Sequence, residues 1–196
     1  KQLAKDMGVK LEFVPTDWKT LINGVVAGKY DIVMTGTSMT VSRAKAAGYT
    51  IPWGRTGYLP LTSADKAGRF KTWEDLNSPD VTVGYNLGTS FADFVKLRLP
   101  KAKVKEVESP ARDWQELLAG RVDVTISSIL EAGKLSTTHE KLVIPFQETA
   151  NSLPLSFIAP QSDHVWLGFL NNWMRMKHEA GFFKQLNKKW GIQGQD

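Results

Sequence analysis

Two segments of the chain share one pattern: Asp-Trp, a helical stretch, a glycine, an aspartate and then an apolar run. The first spans residues 17–31 around Gly28, and the second spans residues 113–123 around Gly120. The first copy is longer by four residues, about one helical turn, so the same helix face is buried in both. Each copy predicts a helix, a glycine stop, a tight turn and a parallel strand. Two such units favour two α/β lobes with a ligand-binding cleft between them.

The composition removes several classes of function. The chain has 196 residues, of which 42% are hydrophobic, which is enough for one or two cores. No apolar run approaches the ~20 residues that a membrane-spanning helix needs. Cysteine is absent, which excludes disulfides and thiolate chemistry. The net charge is +5, but the basic residues are scattered, so we expect no nucleic-acid partner.

Apolar periodicity predicts strands that alternate with helices, which is typical of parallel α/β sheets. The predicted strands lie at 9–14, 31–34, 81–85, 104–107 and 122–126. The predicted helices lie at 17–27, 41–47, 91–99, 128–135, 162–179 and 182–190. One more helix is predicted to begin with Pro110 as its first residue.

Two further extended segments, 57–63 and 152–159, bracket one complete α/β unit, and we interpret them as a two-stranded hinge. This predicts a discontinuous first lobe, 1–61 with 155–196, and a second lobe at 62–154. Residues 1–8 resemble the last turns of a helix that ends at Gly8. We therefore expect an upstream segment, with a first strand and a signal peptide, that is not in this sequence.

Three polar segments follow predicted strands, where open α/β sheets bind ligands. The first, 35–43, is rich in hydroxyls and ends at Arg43. Helix-start amides and a guanidinium would hold a carboxylate or sulfonate, although a capped helix with a surface arginine explains the pattern about as well.

The second polar segment, 86–90, has a glycine that permits close backbone approach. Its alternative is an ordinary capping box formed by Ser90 and Asp93. The candidate ligand-binding residues of these two segments are Thr35, Gly36, Thr37, Ser38, Arg43, Gly88, Thr89 and Ser90.

The third segment, 127–131, contains Ser128 and Glu131, which also match a capping box. On sequence alone the capping interpretation is favoured. The functional alternative places Ser128 on the ligand and leaves Glu131 in the cleft as a proton donor. Trp18 and Trp53 are the aromatic candidates for stacking on a ligand, with burial in a core as the alternative for each.

Other chemistries lack the residues they need. His139, His164 and His178 have no metal-ligand spacing, and no glycine-rich phosphate loop follows a strand. We therefore expect neither a metal nor a cofactor.

Several segments in order resemble the extracellular solute-binding proteins of the polar-amino-acid type, family 3. Residues 30–43 are similar to the signature of the family's first lobe, and Ile51-Pro52-Trp53 to its Pro-aromatic segment. Gly88-Thr89-Ser90 and residues 120–123 resemble second-lobe motifs. The resemblance covers essentially the whole chain. It implies the type II periplasmic-binding-protein fold, with two α/β lobes joined by a two-stranded hinge.

The resemblance also implies roles for individual residues. Arg43 would bind a ligand carboxylate with help from Thr37 and Ser38, Trp18 would form an aromatic floor, and Ser90 would bind the acid from the second lobe. Binders of this family usually carry Asp where Ser128 stands, to pair with an α-ammonium group. The implied protein is a periplasmic monomer that closes on a small anionic or zwitterionic solute and delivers it to an ABC transporter permease.

A second resemblance is to the cyclohexadienyl dehydratases, periplasmic enzymes with the same fold. Glu131 matches their catalytic glutamate, and residues 55–60, 69–72 and 139–142 are also similar. The usual Asp is replaced by Ser128, and the Gly-Gly-Thr-Asn loop is reduced to residues 87–90. We therefore expect a binding protein without enzymatic activity, with dehydration of prephenate or arogenate by Glu131 as the alternative.

Overall fold

The computed structural model describes residues 1–190. Within them the α-helices are α1 (Gln2–Met7), α2 (Leu21–Val26), α3 (Val41–Ala44), α4 (Trp73–Leu76), α5 (Phe91–Arg98), α6 (Asp113–Leu118), α7 (Ile129–Thr138), α8 (His164–Glu179) and α9 (Phe182–Trp190). The strands are β1 (Ala47–Tyr49), β2 (Gly54–Ser63), β3 (Thr82–Asn86), β4 (Lys103–Val107), β5 (Val124–Ser128), β6 (Leu142–Val143), β7 (Ala150–Leu155) and β8 (Ile158–Pro160). In this part of the chain, none of the helices is both long and apolar enough to cross a bilayer.

The second lobe is built on a six-stranded sheet with the order β4-β3-β5-β2-β6, in which β7 also pairs with β2. Strand β3 runs parallel to β4 and β5, with α5 and α6 as the crossover helices. The predicted strands 81–85, 104–107 and 122–126 are confirmed within two residues. The predicted parallel pairing is confirmed for β3, β4 and β5, whereas β2 runs antiparallel to β5. β2 enters this sheet from the first lobe, and that sets its direction.

An aromatic cluster fills the core on one side of this sheet. Tyr58, Phe94 and Trp73 meet edge to face, with ring centroids 5.1–5.2 Å apart, and Phe91 meets Tyr58 at 4.8 Å. Such edge-to-face contacts add stabilisation beyond the apolar area they bury. The cluster fixes Tyr58, whose ring is fully buried, so that its hydroxyl lies at the start of α5.

Strands β2 and β7 are the two strands that connect the lobes. They pair antiparallel from Gly54 with Leu155 to Tyr58 with Ala150, with an irregularity between Thr56 and Tyr58. The second extended segment, predicted at 152–159, is divided between β7 and β8. The distal part, β8, leaves β7 and pairs with β1 in a two-stranded sheet of the first lobe.

Two predicted first-lobe strands do not form. Residues 9–14 are assigned to no strand, and Phe13 is 75% exposed. Of residues 31–34, only Val33 pairs, in one antiparallel bridge with Ile158. An apolar alternation becomes a strand only where a neighbour completes its hydrogen bonds, and 9–14 has no such neighbour among residues 1–190. The core of this lobe is instead formed by helices α2, α8 and α9 packed around β1 and β8.

The second copy of the repeated pattern, at 113–123, forms the predicted helix, turn and strand. In the first copy, at 17–31, the helix starts later than predicted. Gly28 and Gly120 both follow their helices with left-handed φ angles, 68° and 70°. The first helix begins at Leu21 rather than at 17, because Asp17 Oδ1 accepts hydrogen bonds from the Thr20 amide and hydroxyl and closes a turn. Side-chain bonds of this kind compete with the helix.

Two other predicted helix boundaries are wrong. Pro110 does not open α6, which begins at Asp113. The Arg112 amide donates to Gln115 Oε1 at 3.0 Å, so Arg112 is the residue that caps this helix. Helix α3 ends at Ala44 and not at 47, where the chain already enters β1.

Candidate functional site

Eight of the twelve predicted ligand-binding residues line one cavity between the lobes. They are Trp18, Gly36, Ser38, Arg43, Thr89, Ser90, Ser128 and Glu131. The cavity is small, about 60 Å³, and a neighbouring cavity of about 300 Å³ shares Trp18, Asn86 and Arg112 with it. A bound solute larger than a few water molecules therefore has to occupy both cavities or widen the first.

Arg43 crosses the cleft. Its Nη1 donates to the Ser38 carbonyl at 3.2 Å, and its Nη2 donates to the Gly88 carbonyl of the second lobe at 2.9 Å. The guanidinium also lies 5.8 Å from the centre of the Trp18 ring. A guanidinium has five N–H donors, so Arg43 retains donors for a ligand while it links the two lobes. The alternative, a capped helix with a surface arginine, is correct for the cap, because Thr40 Oγ1 accepts from the Arg43 amide at 3.2 Å. It is wrong for the arginine, whose side chain lines the cleft.

The 86–90 segment reaches the cleft without the predicted capping box. Ser90 makes no side-chain hydrogen bond to the α5 backbone, and its Oγ accepts from the Tyr58 hydroxyl at 2.6 Å. Thr89 Oγ1 donates to the Asn86 carbonyl at 2.6 Å. Gly88 has a φ of 84° and lies directly against the backbone of Lys19 in the first lobe. Only a residue without a side chain fits this approach, so Gly88 sets how closely the lobes meet.

The third segment satisfies half of the capping interpretation. Ser128 caps α7, because its Oγ accepts from the Glu131 amide at 3.2 Å. The Glu131 carboxylate pairs instead with Arg112, at 2.5 Å between Oε1 and Nη2, and accepts from the Ser127 hydroxyl at 3.5 Å. Arg112 Nε is buried and has no hydrogen-bond partner within residues 1–190. Glu131 is therefore a member of the cavity wall and not a reciprocal cap.

Asp113 is the most buried acid of the cavity, only 3% exposed. Its Oδ1 accepts from the Trp114 amide at 2.9 Å, and its own amide donates to Asn86 Oδ1 at 3.4 Å. Burial, and second the nearby negative charge of Glu131, raise the pKa of Asp113 to about 7. Its charge therefore changes near neutral pH.

Asn86 holds the floor of the cleft in place. Its Nδ2 donates to the carbonyls of Val107 at 3.2 Å and Ala111 at 3.0 Å. These bonds attach the end of β3 to the loop that precedes α6. Because Arg112 lies on that loop, Asn86 fixes where the Arg112–Glu131 pair stands in the cavity.

Four predicted residues do not line this cavity. Thr35 lines the neighbouring cavity, and Thr37 is fully buried with its hydroxyl 2.6 Å from that of Thr35. Gly88 contributes its carbonyl to Arg43. Trp53 packs in the first-lobe core, 6.3 Å from the ring of Phe157, because the apolar residues of α8 and β8 surround it. This placement favours the core alternative for Trp53.

Sequence reasoning missed six lining residues, Thr56, Tyr58, Asn86, Phe91, Arg112 and Asp113. Asn86 directly follows the predicted strand 81–85 and opens the polar segment 86–90, so its position at a strand end is the signal that identifies it. A helix that starts at Pro110 would place Arg112 and Asp113 inside its first turns, whereas the observed helix starts at Asp113 and leaves Arg112 on the loop at the cavity. Within residues 1–190, no three His, Asp or Glu side chains come together as a metal site.

A family model, described as bacterial extracellular solute-binding proteins, family 3, matches residues 1–193. The chain is 27% identical to a cyclohexadienyl dehydratase of Pseudomonas aeruginosa, with 97% of this chain and 71% of the relative covered. It is 24% identical to the L-cystine-binding protein TcyJ of Escherichia coli K12, with the same coverage of each.

A crystal structure of the ancestral amino acid-binding protein AncCDT-1, a precursor of cyclohexadienyl dehydratase, matches with a TM-score of 0.86. The sequences are 36% identical, over 96% of this chain and 81% of that chain. The predicted type II periplasmic-binding-protein fold and the predicted likeness to the dehydratase branch are both confirmed. Because the family model covers nearly the whole length, the chain belongs to the bacterial extracellular solute-binding proteins, family 3.

Proposed function

We propose that this protein is a periplasmic binding component of an ABC importer, and that it closes around a small anionic or zwitterionic solute. The solute class is amino-acid-like, a carboxylate or a sulfonate. In this proposal the first lobe comprises 1–61 and 155–196, and the second comprises 62–154. β2 and β7 form the hinge between them, and the monomer docks on a membrane permease.

One observation carries the proposal: the Arg43 guanidinium, held by the first lobe, donates to the Gly88 carbonyl of the second lobe inside the cleft. A ligand carboxylate bound to the remaining donors of Arg43 would lie where the two lobes meet. Closure would then complete the binding site, and a ligand shifts the hinge equilibrium by its preference for the closed form. The names of the relatives, which include amino-acid-binding proteins, support the same class of solute.

The test begins with a thermal-shift screen over amino acids, carboxylates, sulfonates and quaternary amines, followed by calorimetry of the compounds that stabilise the protein. We predict that Arg43→Ala weakens binding by at least ~30-fold, because losing one partner of a desolvated charged hydrogen bond costs about 2–5 kcal/mol. Arg98→Ala, on the exposed end of α5, removes the same charge outside the cleft and should bind normally. Equal affinity of the two variants would reject the role of Arg43.

A second candidate is cyclohexadienyl dehydratase activity, favoured by the Pseudomonas aeruginosa relative and by the position of Glu131 in the cavity. A protonated Glu131 would donate its proton to the departing hydroxyl of prephenate, which leaves as water while the ring aromatises and CO2 is lost. Here Glu131 accepts hydrogen bonds from Arg112 and Ser127, which is the role of an acceptor and not of a donor.

One assay distinguishes the two candidate functions. The protein is incubated with prephenate, and phenylpyruvate is followed by its absorbance. Turnover that is lost in Glu131→Gln, with the fold intact by circular dichroism, would establish the enzyme. If the protein binds solutes from the screen but does not convert prephenate, the enzyme function is rejected and the transport function stands.

A further inference from the structure

Asp113 is the acid of the cleft that, among residues 1–190, forms no ion pair and no hydrogen bond with another side chain. Glu131, the other acid in the wall, already pairs with Arg112. For Asp113, the donors within residues 1–190 are backbone amides, of which Trp114 is the nearest at 2.9 Å, and no side chain donates to it. Its side chain is nevertheless buried and lines the cavity, so a buried acid without an ion-pair partner among residues 1–190 forms part of the wall of the ligand space.

Burying such a group is unfavourable unless something in the site compensates it. The ionisable groups that share the cavity wall with Asp113 are Arg43, Tyr58, Arg112 and Glu131. The positive charge of Arg112 favours the ionised form of Asp113, but its Nη2 pairs with Glu131, and burial and the charge of Glu131 outweigh its effect. Arg43 bonds the carbonyls of Ser38 and Gly88. The compensation that remains is a cation brought by the ligand.

We propose that Asp113 binds an ammonium group of the solute as a carboxylate and releases its proton to the solvent when it does so. This rests on the proposed binding function and narrows it to a zwitterion, whose own carboxylate faces Arg43. On binding, a neutral Asp113 carboxyl and a protonated amine become an ion pair, and one proton passes to the buffer.

The proton linkage has a defined sign. The pKa of Asp113 is raised to about 7 in the protein, so below pH 7 binding must first remove a proton. Affinity for an ammonium ligand should therefore fall ~10-fold per pH unit below 7, or about 30-fold between pH 8 and pH 5.5. A ligand without an amine makes no such demand and should show little dependence on pH over this range.

The experiment is calorimetry of the wild-type protein with matched pairs of α-amino acids and 2-oxo acids: alanine and pyruvate, glutamate and 2-oxoglutarate, phenylalanine and phenylpyruvate, arginine and its 2-oxo analogue. Titrations at pH 6.5 in two buffers of different ionisation enthalpy count the protons released. We expect an amino acid to bind more tightly than its 2-oxo partner, with between about half and one proton released per ligand. Asp113→Asn should abolish the release, whereas the exposed control Glu140→Gln should retain it.

The outcomes are distinct. Binding of 2-oxo acids but not of amino acids overturns the role of Asp113 and leaves the transport function standing. Undiminished proton release in Asp113→Asn also overturns it. Failure of both classes to bind the wild type rejects the transport function together with this inference. A ¹³C NMR titration of the wild-type Asp113 carboxyl, with and without the tightest amino acid, gives a reading that does not depend on any variant: its titration midpoint should move to lower pH on binding.

Discussion

Replacing Gly88 with alanine tests whether the contact between the lobes is required for binding. A Cβ at this position would lie 2.5 Å from the Cα and N of Lys19 and 2.5 Å from the carbonyl carbon of Trp18. These are backbone atoms, so they cannot rotate away as a flexible side chain would. The lobes would have to separate by on the order of 1 Å to restore an ordinary contact.

The magnitude follows from what that separation breaks. The Arg43–Gly88 hydrogen bond, 2.9 Å long, involves a charged donor and is worth about 1.5–3 kcal/mol. Steric overlap adds to this loss in the closed form alone. We therefore expect Gly88→Ala to weaken solute binding by about 100-fold or more, and to reduce the compaction that small-angle scattering detects when solute is added.

Gly120→Ala is the matched control. Gly120 has a similar left-handed φ, 70° against 84°, but a Cβ there meets no atom within 4 Å. Both variants should lose about 1–2 kcal/mol of unfolding free energy in urea, because a left-handed conformation is unfavourable for alanine. Only Gly88→Ala should lose affinity. If calorimetry gives the two variants affinities within threefold of each other, the lobes do not close through this contact.

Two further predictions concern charge. The pKa of the Asp113 carboxyl is about 7 in the folded protein, above its ordinary value of 3.8 in an unfolded chain. The contribution of Asp113 to stability is therefore fully present below pH 3.8 and is lost as the pH rises through 7. Asp113→Asn should therefore gain up to about 4 kcal/mol of unfolding free energy relative to the wild type between pH 4 and pH 8; parallel denaturation curves at both pH values would contradict this. Lys19 pairs with Glu108 across the mouth of the larger cavity, but both side chains are more than half exposed. Lys19→Ala should weaken binding by no more than about fivefold, and 1 M NaCl should remove the difference; a larger loss that persists in salt would show that Lys19 contacts the solute.

The second lobe could be predicted from sequence because its signals are local. Strand β3 and helix α5 are adjacent in sequence, and a glycine at 88 marks the turn between them. The strand after Gly120 also follows a turn whose geometry the glycine specifies. Strands β3, β4 and β5 form their parallel pairs between residues 82 and 125, so local pattern and tertiary structure agree.

The first lobe is harder to predict from the sequence, because its strands depend on hydrogen-bond partners that are distant in the chain. Val33 pairs with Ile158, more than a hundred residues away, and no local signal specifies that pairing. Residues 9–14 alternate as a strand does, yet the alternation alone supplies neither hydrogen-bond partners nor a buried face. The same dependence on distant neighbours explains Trp53, which is half-buried and stacks on Phe157, more than a hundred residues later in the chain.

For the site, the strand-end rule located Ser38, Ser90 and Ser128 correctly in one cavity. It could not locate Tyr58, which lies in the middle of a strand and reaches the cleft only because β2 crosses between the lobes. Nor could it distinguish the roles of a serine that both caps a helix and faces a ligand, since the two roles use the same residue type.

Ser128 and Glu131 match both a capping box and a ligand site in the sequence, and the structure shows which role each of them takes. The Ser128 oxygen accepts the Glu131 amide, yet its hydroxyl hydrogen remains available to donate to a solute, so capping and binding are compatible at Ser128. Glu131 cannot combine its roles in this way, because a carboxylate turned back to the helix start would leave Arg112 without its acid. The Arg112 Nη2–Glu131 contact at 2.5 Å therefore decides between them. With Glu131 neutralised by Arg112, the wall of the cleft keeps one guanidinium, on Arg43, and one carboxyl, on Asp113, that no side chain within the described part of the chain bonds. That is the charge pattern complementary to a zwitterion.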